Sequence, residues 1–263
     1  MRKNFENKLC WIVGASDGIG KAIALELSQL GANIILSSRN KEKLQDVKDK
    51  VSFGQVIIVP LDLADAKSVE QASVEVLKLG TPDFVFLIGG ISQRDNFLET
   101  DLSTGRKIME TNFWGHVKVV EQVLPSMLEL ATSHIVEISS ITGKFGYHRR
   151  SFYAASKHAV KGFFESLALE YHKHGLRVCV AYPGKIKTDI SLRALKGNGD
   201  ASNQKEEAHE DGMPVEKCAQ IILNDVAKQK RESHPGGKEM LSLHLNRFLP
   251  KLLFKILLKK NQL

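Results

Sequence analysis

The sequence predicts a single α/β domain built on a doubly wound parallel sheet, with a basic amphipathic extension at its C-terminal end. Three observations point there. Short apolar runs alternate with amphipathic helical stretches between residues 9 and 182, the pattern of parallel strands joined by crossover helices. A glycine-rich turn, Gly14-Ala-Ser-Asp-Gly18-Ile-Gly20, falls between the first run and the first helix. The chain has 263 residues, 43% hydrophobic and 25% charged, enough for one large domain with a full core.

The elements follow in order. Leu9–Val13 is wholly apolar and reads as the first strand. Residues 20–29 have a helical pattern, with Gly31 just past the end as a cap. Asn33–Ser37 is the second strand, and residues 41–51 are a charged helix. Residues 55–60 make the third strand, 68–79 a helix and 84–88 the fourth strand. Residues 105–130 carry one long helical pattern, broken or bent near Pro125, which has no N–H to donate. Residues 134–139 are the fifth strand, 151–172 a helix and 177–182 the sixth strand. Residues 197–212 break the rhythm: they are polar and nearly free of large apolar side chains. Such a stretch is either a solvated loop or, since mobile loops are common lids, a substrate lid at about 189–213.

Charge is unevenly spread. The 37 basic and 30 acidic residues leave a formal +7. Residues 228–263 hold nine Lys/Arg against two Asp/Glu, which accounts for the whole excess. A balanced body argues against a nucleic-acid footprint. In the tail, residues 244–263, Leu249, Leu252, Leu253, Ile256 and Leu257 recur at helical spacing, with Lys251, Lys255 and Lys259 at every fourth residue. That is a basic amphipathic helix entered near Pro250, suited either to an anionic membrane surface or to covering a pocket or subunit interface. No run reaches the length of a membrane span, and residues 1–8 lack the apolar core of a signal peptide. The expected location is the cytoplasm, with peripheral membrane contact through the tail. Cys10, Cys179 and Cys218 are far apart and read as buried free thiols, with no metal-ligand spacing.

Two motifs carry chemistry. Tyr153-Ala-Ala-Ser-Lys157 sets a phenol and an ammonium one helical turn apart on one face. A nearby cation favours the phenolate, so such a pair can move a proton at neutral pH. The glycine turn, with Gly14, Ser16, Asp17, Gly18, Ile19 and Gly20, is a phosphate cradle. Its glycines allow a tight turn and close backbone approach, and the helix behind it offers unpaired N–H groups and a positive dipole end. The end of the second strand bears on the choice of dinucleotide. An acidic residue there would bind a ribose 2′-hydroxyl and repel a 2′-phosphate. The chain has Ser37-Ser38-Arg39 instead, and a guanidinium suits a phosphate dianion. Ser38 and Arg39 therefore favour NADP(H).

These motifs, with Asp62-Leu63, Asn112, Ser140 and Pro183-Gly184-Lys185-Ile186-Lys187-Thr188, stand in the order and spacing of the short-chain dehydrogenase/reductases. The chain resembles that family from about residue 8 to about residue 227, and within it the microsomal dehydrogenase/reductases and 11-beta-hydroxysteroid dehydrogenases. Those enzymes often carry an N-terminal membrane anchor, which the sequence does not show. The resemblance implies a Rossmann fold in residues 1–243 and a catalytic set of Asn112, Ser140, Tyr153 and Lys157. Tyr153 would be the general acid for reduction and the general base for oxidation. Lys157 would hold the nicotinamide ribose, and Ser140 the reacting oxygen. Asn112 would help hold a water linking Lys157 to solvent. Ser139 is the rival serine; family spacing favours Ser140, and strand alternation puts the two on opposite faces. Asp62 and Leu63 resemble the adenine contact, and Pro183, Gly184, Ile186 and Thr188 the nicotinamide side. In the family the region just after that segment closes over the substrate, which favours the lid at about 189–213 over a solvated loop.

One departure stands out. The family shows Asn-Asn-Ala-Gly after the fourth strand, where this chain has Leu87-Ile88-Gly89-Gly90. Side-chain bonds bracing the sheet are lost, while Gly89 and Gly90 still let the backbone pass a cofactor. His148, Arg149 and Arg150 precede Tyr153 and could face a pocket mouth, but are read as a solvated loop, and Trp114 as part of a helix interface. The implied function is an NADP(H)-dependent oxidoreductase working in the reductive direction on an apolar carbonyl/secondary-alcohol pair, steroid, lipid-like or 3-oxoacyl, as a homodimer or homotetramer. The alternative is a dinucleotide-binding regulatory or scaffold protein without turnover.

Overall fold

The computed structural model of the chain describes residues 1–202 and 211–260. Seven strands form one parallel sheet in the order β3-β2-β1-β4-β5-β6-β7. They are β1 Leu9–Val13, β2 Asn33–Ser37, β3 Val56–Ile58, β4 Phe84–Leu87, β5 Ser133–Ile138, β6 Leu176–Ala181 and β7 Glu232–Ser233. The order reverses between β1 and β4. In such sheets the crevice beyond the strands' carboxyl ends at that point is where ligands bind.

Alternate residues of each strand feed two cores. Ile12, Ile34, Phe84, Phe86 and Val136 pack with helices α2 (Gly18–Gln29), α3 (Lys41–Lys48) and α8 (Val215–Ala227). Trp11, Ile35, Val85, Leu87 and Ile135 pack on the other face with α4 (Ala66–Leu79), α6 (Gly115–Met127) and α7 (Ser151–Tyr171). Burial on both faces explains why the strands read as continuous apolar runs. All three cysteines are buried, and burial pushes the thiols of Cys179 and Cys218 up to about 12, so they stay protonated.

The structure departs from the sequence expectation in several places. A short helix α1 (Arg2–Phe5) precedes β1 and buries Phe5 against the Phe84 ring. The 105–130 pattern is irregular at a π-helical turn, Glu110–Trp114, between α5 (Leu102–Met109) and α6. Pro125 lies inside α6 instead of breaking it. α8 and β7 lie beyond the last strand read from the sequence; β7 has only two residues, too few for a pattern. The tail is two helices, α9 (Leu241–Phe248) and α10 (Pro250–Lys260), separated at Leu249. The centre of the expected lid, residues 203–210, lies outside the described residues. Its start, 189–202, is a run of turns bridged to Gln93 through Leu195. Among the described residues no helix is long and apolar enough to cross a membrane.

Candidate active site

The glycine turn leaves β1 at Val13 and enters α2 at Gly18. Gly14 N donates to Ser37 O at 2.7 Å, which folds the turn back over the end of β2. Gly14 has φ +97°, and a Cβ there would meet Gly89 N at 2.4 Å. A Cβ on Gly20 would lie 2.1 Å from the Gly14 carbonyl oxygen. The main chain is thus laid against itself with no room for side chains, leaving a shallow bed in front of the α2 N-terminus. The residues present fit a dinucleotide pyrophosphate. Ile88 N and Gly89 N both donate to Val13 O, at 2.9 and 3.0 Å. Backbone bonds therefore join the strand ends where the expected asparagine side chains are missing.

Arg39 is exposed past the end of β2, with Lys43 on α3 lining the same cavity. Ser37 is committed to holding the sheet: its hydroxyl accepts from Trp11 Nε1 at 2.8 Å and donates to Val59 O. Asp62 accepts from Ala64 N, and Leu63 lies beneath Gly89.

On the other side of the sheet's switch point, Lys157 is 3% exposed and donates through Nζ to Ile138 O at 2.8 Å. Tyr153, 8% exposed, lies one turn earlier on α7. Asn112 sits in the π turn and is fully buried. Its amide accepts from Ile91 N at 2.8 Å and donates to Ile91 O at 2.9 Å and Ser156 Oγ at 3.1 Å. Ser156 in turn donates to Tyr153 O. The π turn, α7 and the chain after β4 are thereby joined through one side chain. Ser139 spends its hydroxyl on Lys157 O at 3.1 Å, whereas Ser140 Oγ accepts from Thr142 N; both residues line the cavity. His116 Nδ1 and Glu137 Oε2, both buried, meet at 2.8 Å and fix α6 to β5.

All these parts share one cavity of about 660 Å³. Of the twenty residues singled out in the sequence, only Gly20 and Asn112 do not line it. The first packs under Gly14 and the second stands behind Ile91. Thr188 rests against Gly18, and Gly184 against Glu239. Burial raises the Glu239 carboxyl, but bonds from the amides of Gly237 and Lys185 outweigh it and hold the group below the usual range.

Part of the cavity wall departs from the sequence expectation. Arg150 is not a solvated residue: it is half-buried, lines the cavity, and donates to Ser92 Oγ and to Gln93 O, the latter at 3.0 Å. Its guanidinium lies 6.0 Å from the Tyr153 ring centre. Arg149 beside it is exposed and pairs with Asp95. Leu245 of α9 and Leu253, Ile256 and Leu257 of α10 close the apolar end. Trp114 packs on Phe113 but stays 53% exposed and away from the cavity. A signal for the Leu face was present in the tail's helical spacing; for Arg150 the signal was its place just before Tyr153, outweighed in the sequence reading by a solvated loop.

Comparison with known proteins agrees with this geometry. Residues 8–198 match the family model for short chain dehydrogenase. "Dehydrogenase/reductase SDR family member 7B" of Danio rerio is 34% identical over 97% of this chain and 86% of its own length. "Dehydrogenase/reductase SDR family member 7" of Mus musculus is 33% identical over 91% of this chain and 74% of its own. Among solved structures, a short chain dehydrogenase/reductase from Burkholderia phymatum in complex with NAD superposes with a TM-score of 0.85 at 20% identity, covering 94% of this chain and 95% of the other. A short chain dehydrogenase from Burkholderia cenocepacia J2315 in complex with NADP gives 0.80 at 22% identity, covering 96% and 98%. At those identities the structures speak for the fold.

Proposed function

As the chain belongs to the short-chain dehydrogenase family, we propose that it is an NADP(H)-dependent oxidoreductase that reduces the carbonyl of an apolar substrate. The observation that carries this reading is the meeting of Tyr153, Lys157 and Ser140 with the glycine cradle in one cavity. The nicotinamide dinucleotide, when bound, supplies the hydride. The Tyr153 hydroxyl delivers a proton to the carbonyl oxygen as charge develops there, and Ser140 Oγ donates to the same oxygen. The Lys157 ammonium, steadied by Ile138 O, favours the charge left on Tyr153. Asn112 braces the π turn and helps hold the water that links Lys157 to solvent. The main chain of Gly14, Ser16, Asp17, Gly18, Ile19 and Gly20 forms the phosphate bed. Asp62 and Leu63 lie at the adenine, and Pro183, Gly184, Ile186 and Thr188 at the nicotinamide. Arg39, with Ser38, supports NADP(H) over NAD(H), because no carboxylate occupies the end of β2.

An apolar substrate fits a wall of Leu245, Leu253, Ile256 and Leu257. The outer face of the tail, with Phe248, Phe254 and Leu258 exposed beside Lys251, Lys255 and Lys259, supports peripheral contact with an anionic membrane. Assembly as a homodimer or homotetramer is supported by exposed Trp114 after α5 and Leu169 on α7. The intact proton-transfer set favours an enzyme over a silent dinucleotide binder.

Tyr153→Phe tests the central claim. It removes the proton and keeps the ring, so turnover with NADPH on a responsive carbonyl should fall ~10²–10⁴-fold. NADPH affinity should stay near that of the unaltered chain. Reduction at an undiminished rate would refute the role.

A further inference from the structure

Asp17 occupies a helix cap and does not cap. It is the N-cap residue of α2, in extended conformation at φ −162° and ψ −176°, yet its side chain accepts nothing from the first turn. An aspartate there ordinarily accepts from the second or third amide of the helix, here Ile19 or Gly20. Those amides belong to the phosphate bed. Instead, both Asp17 oxygens are held by Arg193. Nη2 donates to Oδ1 at 2.7 Å, and Nη1 donates to Oδ2. Arg193 comes from the turns after β6, 176 residues along the chain. Those turns are held to the catalytic side, where Leu195 N donates to Ser92 O and Arg94 N to Leu195 O, both at 2.8 Å. Asp17 and Arg193 both line the cavity.

We propose that Arg193 is a positioning residue of the dinucleotide site, withholding the Asp17 carboxylate from the α2 N-terminus so that its amides stay open to a pyrophosphate. The proposal rests on the dinucleotide reading above. A released carboxylate opposes the ligand in two ways. The positive end of α2 attracts it onto the amides that a phosphate needs. Its charge also repels the phosphates wherever it stands. In the paired state a two-point guanidinium contact fixes its direction and offsets its charge. The same contact ties the turns after β6 to the glycine loop, so one ion pair spans the cavity mouth.

Fluorescence titration of NADPH and NADH into the purified full chain tests this, using Arg193→Ala, Asp17→Ala and the double variant. Arg193→Ala should weaken both dinucleotides about ten- to a hundredfold, the scale of one charge-assisted hydrogen bond. Asp17→Ala should bind both dinucleotides more tightly than the unaltered chain, because the carboxylate that opposes the phosphates is gone. The double variant should return to within about threefold of the starting affinity, because the two changes act on one contact. A double variant as weak as Arg193→Ala would mean that the guanidinium touches the phosphates itself, and would overturn the proposal. So would an Arg193→Ala of undiminished affinity. If Arg193→Ala does not fold, Asp17→Ala still decides: tighter binding supports the withheld carboxylate, and unchanged or weakened affinity overturns it. Failure of the unaltered chain to bind either dinucleotide would overturn the cofactor reading and this proposal together.

Discussion

Arg39 stands exposed at the carboxyl end of β2, with Lys43 on the same cavity wall and no ion-pair partner among the described residues. Its charge is therefore available to a ligand. Arg39→Asp should remove the attraction for a 2′-phosphate and supply an acceptor for a ribose hydroxyl, moving the NADPH/NADH affinity ratio toward NADH by about tenfold or more. Titration of both dinucleotides reads the ratio, and equal affinities before substitution would show that Arg39 points elsewhere. At this scale the sequence was legible wherever a position depends on local spacing. Tyr153 and Lys157 share a helix face, and Ser139 and Ser140 follow the end of β5 with their hydroxyls on different partners, Lys157 O and Thr142 N. Arg150 was only half legible: its place before Tyr153 raised a pocket mouth, but the partners that hold it there, Ser92 and Gln93, lie 58 and 57 residues away. Gln93 is a similar case. Its side chain accepts from Phe152 N at 2.8 Å, capping α7 from outside, and no nearby sequence announces it.

Among the elements, the glycine turn tolerates little change. Gly14 combines a left-handed φ with a Cβ position 2.4 Å from Gly89 N, where backbone cannot yield cheaply. Gly14→Ala should cost ~1–3 kcal/mol of stability by urea unfolding and remove most dinucleotide affinity. Unchanged values for both would mean that β1 and β4 part more easily than their bonding indicates. The strands were readable from composition because both sheet faces are covered, so each strand is an apolar run. Helix irregularity was not. A π turn adds one residue to a turn without changing the apolar pattern, and it sits at Glu110–Trp114 where Asn112 must face inward. Pro125 gave a strong local signal for a break, yet α6 accommodates it near its C-terminal end. The two-residue β7 is defined by pairing with Val180 and Ala181 rather than by its own residues.

Over the whole molecule, the tail has two unlike sides. Leu253 is 4% exposed and, with Ile256 and Leu257, walls the cavity, while Phe248 and Phe254 are 68% and 64% exposed. The pocket-covering and surface-binding readings of the amphipathic pattern therefore fall on different faces of the same helices. Replacing Lys251, Lys255 and Lys259 with glutamate leaves the inner face in place. The triple variant should lose co-sedimentation with anionic vesicles that the unaltered chain shows at low salt, where attraction is least screened. No sedimentation of the unaltered chain under those conditions would leave the tail as a wall alone. The position of that wall in the chain also sets an order of assembly during synthesis. A ribosome extends a chain at roughly 5–20 residues per second, and N-terminal parts fold first. Strands β1 to β6 and the helices between them emerge before residue 182, whereas the leucines that close the cavity begin at Leu241. In a growing chain, the residues of strands β1 to β6 are therefore in place before those that close the apolar end of the cavity have been added.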